Sequence, residues 1–288
     1  MLLSRTPSDT PDLFMSTRRT CIGVFDSGFG GLTVLKALLR LIPNADYLYF
    51  GDTARLPYGS KSAETVARYA VGAARYLEQH GAQALVIACN TATALALDKI
   101  TEAATVPVIG VIEPGTERAA AESSNKKVVV IGTEATVSSH AYLKALQARG
   151  VQAREKACPL LVPLVEEGWI DHPVTEEVAN IYLKEAFADE FKSADVLLLG
   201  CTHYPLIQPL LRKVAPKHVK IVDSADATAD AVGRVLRRIP LPTVPKPERR
   251  KLPRLDCFAT DSAEKFRRLG ALFLGHPIDS VQHVDLPE

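Results

Sequence analysis

The chain has 288 residues, of which 47% are hydrophobic, 23% charged and 6% aromatic, too apolar a mixture for wholesale disorder. Its 34 lysines and arginines against 33 acids leave a net charge of +1, which argues against a broad cationic surface for nucleic acid or anionic lipid. No apolar run approaches the ~20 residues of a bilayer span, so neither a membrane nor direct nucleic-acid contact is expected.

Residues 1 to 20 mix Ser, Thr, Pro and both charges and are expected to form a mobile tail, without the apolar core of a signal peptide. Met15 is a candidate start. Short β-rich runs and helical stretches then alternate. A strand is predicted over Cys21–Phe25, a helix over Leu32–Leu41, a strand over Tyr47–Phe50 and a helix over Ser62–His80. The strand Leu85–Ala88 is followed by the helix Ala92–Ala104, and the strand Val108–Ile112 by the helix Thr116–Ser123. Next come the strand Val128–Ile131 and the helices Ser138–Arg149 and Thr175–Lys192. The strands Val196–Leu199 and Lys220–Val222 precede the helix Ala225–Arg238. Pro240 to Pro253, rich in proline and basic residues, reads as an extended loop or a docking segment. A strand over Leu255–Ala259 and an amphipathic helix over Ser262–Leu274 close the series. Continuous apolar strands such as Leu85-Val-Ile-Ala88 suit parallel strands covered on both faces, so the fold class is α/β. In such sheets, reactive positions gather just past the carboxyl ends of strands.

Five cysteines are scattered at positions 21, 89, 158, 201 and 257, with no CxxC pair, which favours free thiols in a reducing cytoplasm over a disulfide framework or zinc knuckle. Cys21, Cys158 and Cys257 read as packing residues. Cys89 and Cys201 differ, because each follows a buried strand and precedes a helix start. Asn90, Thr91 and Thr93 are natural caps after Cys89, and Pro205 or Pro209 could open a helix after Cys201. A thiol at a helix N-terminus is expected to favour thiolate. The segments around these two cysteines share one plan. Two similar lobes facing each other would set the cysteines on opposite walls of a cleft.

Two glycine-bearing loops complete the constellation. Asp26-Ser27-Gly28-Phe29-Gly30-Gly31 ends the first strand and fits neither a phosphate loop nor a dinucleotide fingerprint. It reads either as a site for a small carboxylate or amine, or as a tight turn using glycine for positive φ. Gly51-Asp52-Thr-Ala-Arg55-Leu-Pro57-Tyr58-Gly59 follows the second strand, where Asp52 and Arg55 could form a structural pair. No metal-ligand spacing appears.

Four of these segments resemble the glutamate racemases of the aspartate/glutamate racemase family. They are Gly23-Val-Phe-Asp26-Ser-Gly-Phe-Gly-Gly-Leu32, Gly51-Asp-Thr-Ala-Arg-Leu-Pro-Tyr-Gly59, Ala88-Cys-Asn-Thr-Ala92 and Gly200-Cys-Thr-His-Tyr-Pro205. Val130-Ile-Gly-Thr133 and Pro163-Leu-Val-Glu-Glu-Gly168 add to them, and the likeness runs from about residue 21 to 275. The resemblance implies two α/β lobes, each a mostly parallel sheet flanked by helices, with the active site in the cleft between them. Residues 21–113 and 224–288 would form the first lobe and residues 114–223 the second. It further implies interconversion of L- and D-glutamate without cofactor or metal, the D-isomer feeding peptidoglycan, in a cytoplasmic homodimer. Cys89 would take the α-proton of D-glutamate and Cys201 that of L-glutamate. Asp26 would assist Cys89, and Glu166 or His203 would assist Cys201. The positions matching substrate contacts are Asp26, Ser27, Tyr58, Gly59, Asn90, Thr91, Thr202 and His203. The rival readings are a racemase of another acidic amino acid, chiefly aspartate, and a regulatory binding protein that keeps the racemase fold.

Overall fold

The computed structural model describes residues 19–238 and 252–286. The N-terminal tail up to residue 18 and residues 239–251 of the proline-rich loop lie outside the described residues.

Among the described residues, ten strands form two sheets. The first contains β1 (Cys21–Asp26), β2 (Asp46–Gly51), β3 (Ala84–Ile87) and β4 (Val108–Gly110). The second contains β5 (Lys127–Gly132), β6 (Gln152–Ala157), β7 (Val196–Gly200) and β8 (Lys220–Asp223). The chain then returns to the first sheet with β9 (Leu255–Ala259) and β10 (Val281–His283). The orders are β10-β9-β2-β1-β3-β4 and β6-β5-β7-β8, and every pairing is parallel. The central strands β3 and β7 are buried along their whole length, as continuous apolar runs between two helical layers must be. The helix Ser224–Arg238 packs on both Leu32–Leu41 and Ile112–Glu122. Its Asp226 meets Arg40 at 2.6 Å and its Asp230 meets Arg118 at 3.1 Å.

Several boundaries depart from the sequence reading for local reasons. The predicted strand Val108–Ile112 stops at Gly110, and the helix expected from Thr116 starts at Ile112. Pro114 falls in that helix's first turn, where the missing N–H has no partner to lose. The predicted helix Ser138–Arg149 is two helices, Glu134–Ser138 and Ala141–Gln147, because His140 adopts φ 54° between them. The helix expected over Thr175–Lys192 runs over Pro173–Ala186, with proline in its first turn, and gives way to a 3-10 turn at Asp189–Ser193. The helix Leu161–Glu166 and the strands β6 and β10 are additional to the predicted set, whereas Gln208–Val214 has Pro209, one of the two prolines expected to open a helix after Cys201, in its first turn. β6 is a charged edge strand whose Arg154 reaches Glu190 at 3.0 Å, so an apolar pattern never marks it.

Candidate active site

The candidate residues sit at or past the carboxyl ends of β1, β2, β3, β5 and β7, with Glu166 on the short helix that follows β6. Ser27, Tyr58, Cys89, Thr133, Cys201 and His203 are among the residues lining one cavity of about 390 Å³. The two cysteines therefore face the same space, each carried by a different sheet. Gly59, Asn90, Thr91, Glu166 and Thr202 also line it, while Asp26 is fully buried behind the Cys89 wall.

Cys89 caps the helix Asn90–Ala103 itself, its Sγ accepting from the Ala92 N–H at 3.4 Å. The three residues expected to cap are used elsewhere. Thr93 donates to the Ile87 carbonyl at 3.0 Å, and Asn90 and Thr91 turn toward the second sheet. Burial pushes the Cys89 thiol up to about 12, and the Asp26 charge adds to that, outweighing the opposing hydrogen bonds from Ser27 and Ala92. The expectation that a helix N-terminus would favour thiolate here is overturned, because two or three dipolar contacts do not offset removal from water. Sγ of Cys89 lies 3.5 Å from Ser27 Oγ.

Asp26 ends β1 with one carboxylate oxygen accepting from Gly28 N–H at 2.8 Å and the other without a hydrogen-bond partner among the described residues. Burial raises its pKa, while His203 and the Gly28 and Gly31 amides pull it down. The glycine loop after it uses none of its glycines for positive φ; those conformations fall at Gly81, Gly150, Gly168 and Gly275. Its glycines are needed for close approach instead. A Cβ on Gly30 would stand 2.2 Å from Thr202 Oγ1, and one on Gly31 would stand 2.5 Å from the Asp26 Cβ.

The Cys201 wall is built differently. No α-helix starts there; a 3-10 turn, Tyr204–Ile207, separates Cys201 from the helix Gln208–Val214. In place of a helix terminus, His203 Nδ1 faces Sγ of Cys201 at 3.9 Å, and its Nε2 meets Glu166 Oε1 at 3.0 Å. Burial works against a charged imidazole, but the hydrogen bonds to Cys201 and Glu166 prevail and push His203 up to about 10. Glu166 closes the helix Leu161–Glu166, whereas Glu167 is exposed.

Tyr58 is held from outside the cavity. Its hydroxyl donates to Asp52 at 2.6 Å, and the buried Asp52 carboxylate also receives Arg55 at 2.9 Å and Thr260 at 2.8 Å. The Asp52–Arg55 pair expected from sequence is thus part of a larger support. Three hydroxyls cross between the sheets: Thr91 lies 2.9 Å from Thr133, and Thr133 lies 2.9 Å from Thr136. Thr136 and Tyr142 were not among the residues singled out by sequence, and Thr133 entered only as the end of the motif Val130-Ile-Gly-Thr133, with no role given to it. Thr133 stands just past β5, the position that Cys89 and Cys201 hold on their own strands, and that equivalence is the signal that marks it. Among the described residues, no group of three or more His, Cys, Asp or Glu is placed to hold a metal ion. None of their helices is long and apolar enough to cross a membrane.

The model of the Asp/Glu/hydantoin racemase family matches residues 22–232. A glutamate racemase of Koribacter versatilis is 60% identical over 290 residues, covering 94% of this chain and 99% of the relative. The solved glutamate racemase of Bacillus anthracis is similar with a TM-score of 0.86 and 36% identity, over 94% of this chain and 99% of that one. A glutamate racemase from Francisella tularensis, solved in complex with D-glutamate, gives a TM-score of 0.84 at 36% identity, over 94% and 98% of the two chains. The aspartate racemase of Picrophilus torridus shares the fold alone, at 18% identity and a TM-score of 0.53 over 75% of this chain and 94% of that one.

Proposed function

The chain belongs to the Asp/Glu/hydantoin racemase family, in its glutamate racemase group, and from that premise we propose that it inverts the α-carbon of glutamate by proton transfer between Cys89 and Cys201. The observation that carries this reading is the placement of the two thiols past the ends of strands from different sheets, lining one cavity, each with its own carboxylate support. Inversion needs removal of the proton on one face and delivery on the other, which two opposed thiols accomplish without crossing the substrate.

In the L-to-D direction, Cys201 as thiolate takes the α-proton; the C–H bond breaks, an S–H bond forms, and the electron pair spreads into the adjacent carboxylate. Cys89, held as a thiol in the free protein by its burial, then delivers its proton to the opposite face. In the reverse direction the roles exchange. An ordinary thiol costs roughly 2 kcal/mol to ionise at neutral pH, and the neighbour that Cys201 Sγ faces is the His203 imidazole, itself held by Glu166 and pushed up to about 10. Asp26, whose buried carboxyl is displaced toward its neutral form, takes or relays a proton behind Cys89. The greater demand is the carbanion-like transition state. Ser27, Thr91, Thr202 and His203 supply donors for it at the cavity wall, while Asn90, Tyr58 and Gly59 line the space that binds the substrate. In the cell this activity supplies D-glutamate for peptidoglycan from a cytoplasmic homodimer, without an added cofactor.

Incubating the protein with L-glutamate in D₂O tests the reading. Optical rotation should decay to zero while the α-proton signal disappears, and L-aspartate should turn over more slowly. Unchanged rotation, or faster turnover of L-aspartate, would contradict it.

A further inference from the structure

Tyr142 belongs to neither cysteine's immediate surroundings in sequence, yet it touches the neighbours of both. It is fully buried in the helix Ala141–Gln147, which the left-handed His140 redirects away from the preceding helix. Its ring lies under Gly200, where an added Cβ would come within 3.0 Å of Tyr142 Cε2. Its hydroxyl donates to Asn90 Oδ1 at 2.5 Å. Gly200 immediately precedes Cys201 and Asn90 immediately follows Cys89.

The consequence lies in the Asn90 amide. A carboxamide has one acceptor end and one donor end, and which end faces a ligand is fixed by what binds the other. The amide oxygen can only accept, so the phenol hydrogen is directed to Asn90 Oδ1. With Oδ1 engaged, Nδ2 is the remaining end, and it is buried with no hydrogen-bond partner among the described residues. Asn90 itself lines the cavity and is 3% exposed. A buried donor without an acceptor costs stability unless a ligand satisfies it.

We propose that Tyr142 is a positioning residue that locks the Asn90 amide with its N–H donors toward the cavity, ready for a carboxylate oxygen of the substrate. The proposal rests on the reading of the cavity as the glutamate site. It makes Tyr142 act on binding, through Asn90, with no part in moving the proton.

The test compares wild type, Tyr142→Phe, Asn90→Ala and the double variant in steady-state racemisation of L- and D-glutamate. Tyr142→Phe keeps the ring against Gly200 and removes only the hydroxyl. It should raise KM about tenfold for both enantiomers and leave kcat nearly unchanged, since an interaction made equally in ground and transition states is lost. In the Asn90→Ala background the same change should have no further effect, whereas a merely structural role would cost the same in both backgrounds. An unchanged KM in Tyr142→Phe, or full additivity in the double variant, overturns the proposal. A wild type that does not racemise glutamate defeats the reading of the site instead, so the two failures are distinct. A measurement on the wild-type protein removes dependence on the folding of Tyr142→Phe. The Asn90 side-chain amide resonances, identified by their loss in Asn90→Ala, should shift on addition of D-glutamate, and resonances that stay in place refute the proposal.

Discussion

Nε2 of His203 lies 3.0 Å from Oε1 of Glu166, while the adjacent Glu167 is turned to solvent at the end of the same short helix. The pair Glu166-Glu167 is ambiguous in sequence, and the structure separates the two by contact alone. Glu166→Gln keeps the shape and removes the charge that favours imidazolium, so kcat/KM should fall about ten- to a hundredfold. Because L- and D-glutamate have equal free energy, the fall must be the same in both directions. Glu167→Gln should leave kcat/KM unchanged. Comparable losses in the two variants, followed by polarimetry, would remove Glu166 from the Cys201 wall's machinery.

The two cysteines are expected to fail asymmetrically. Cys201→Ala should abolish racemisation yet leave Cys89 able to lift the α-proton of D-glutamate and return a solvent deuteron to the same face. Cys89→Ala should show the converse, exchanging the α-proton of L-glutamate. Proton NMR in D₂O with each pure enantiomer reads both arms. If each variant exchanged both enantiomers equally, the assignment of one thiol to each face would be wrong.

The parallel α/β class is legible because β3 and β7 are unbroken apolar runs, which only a doubly covered sheet accommodates. The cysteines stand out for the same reason, each being a polarisable group directly after such a run. What sequence hides is long-range contact. Tyr142 looks like one apolar position on a helix, and its hydroxyl gains meaning only when folding brings it to Asn90, 52 residues away. The Cys89 thiol reads as activated by its helix terminus, and only burial, which no local pattern displays, reverses the sign. Likewise Pro209, not Pro205, opens the helix after Cys201, so a 3-10 turn intervenes and the imidazole of His203 is the group that Sγ faces.

Gly30 is expected to be intolerant of even one methyl group. Its added Cβ would meet Thr202 Oγ1 at 2.2 Å and His203 Nδ1 at 2.6 Å. Neither neighbour yields easily, since Thr33 Oγ1 donates to the Thr202 carbonyl at 3.2 Å and Glu166 holds His203. Gly30→Ala should therefore cost about 1–3 kcal/mol in stability and lower kcat/KM more than tenfold. Gly28→Ala is the control, because its Cβ would meet only the end of the Leu56 side chain, at 3.0 Å. Thermal unfolding and racemisation measured on both variants check the contrast, and equal effects would show that the approach of the two loops is not what Gly30 secures.

The elevated pKa of His203 makes a signed prediction for stability. Burial alone would lower it, but the hydrogen bonds to Cys201 and Glu166 carry it from 6.5 to about 10. An unfolded chain loses that proton as pH rises through 6.5, while the folded chain keeps it until about 10, so within this window the native state binds more protons. Its contribution is therefore fully present below 6.5 and is lost as pH rises through the folded value. The slope is about 1.4 kcal/mol per pH unit for one proton. Burial raises the Cys89 thiol from 9.0 to about 12, which adds the same sign above 9.0, so the histidine is read most cleanly between 6.5 and 9.0. Urea unfolding across that range should give a steeper loss of stability in wild type than in His203→Asn. Parallel pH dependences would mean that His203 carries no extra proton in the folded state, and the imidazolium support for Cys201 would fall with it.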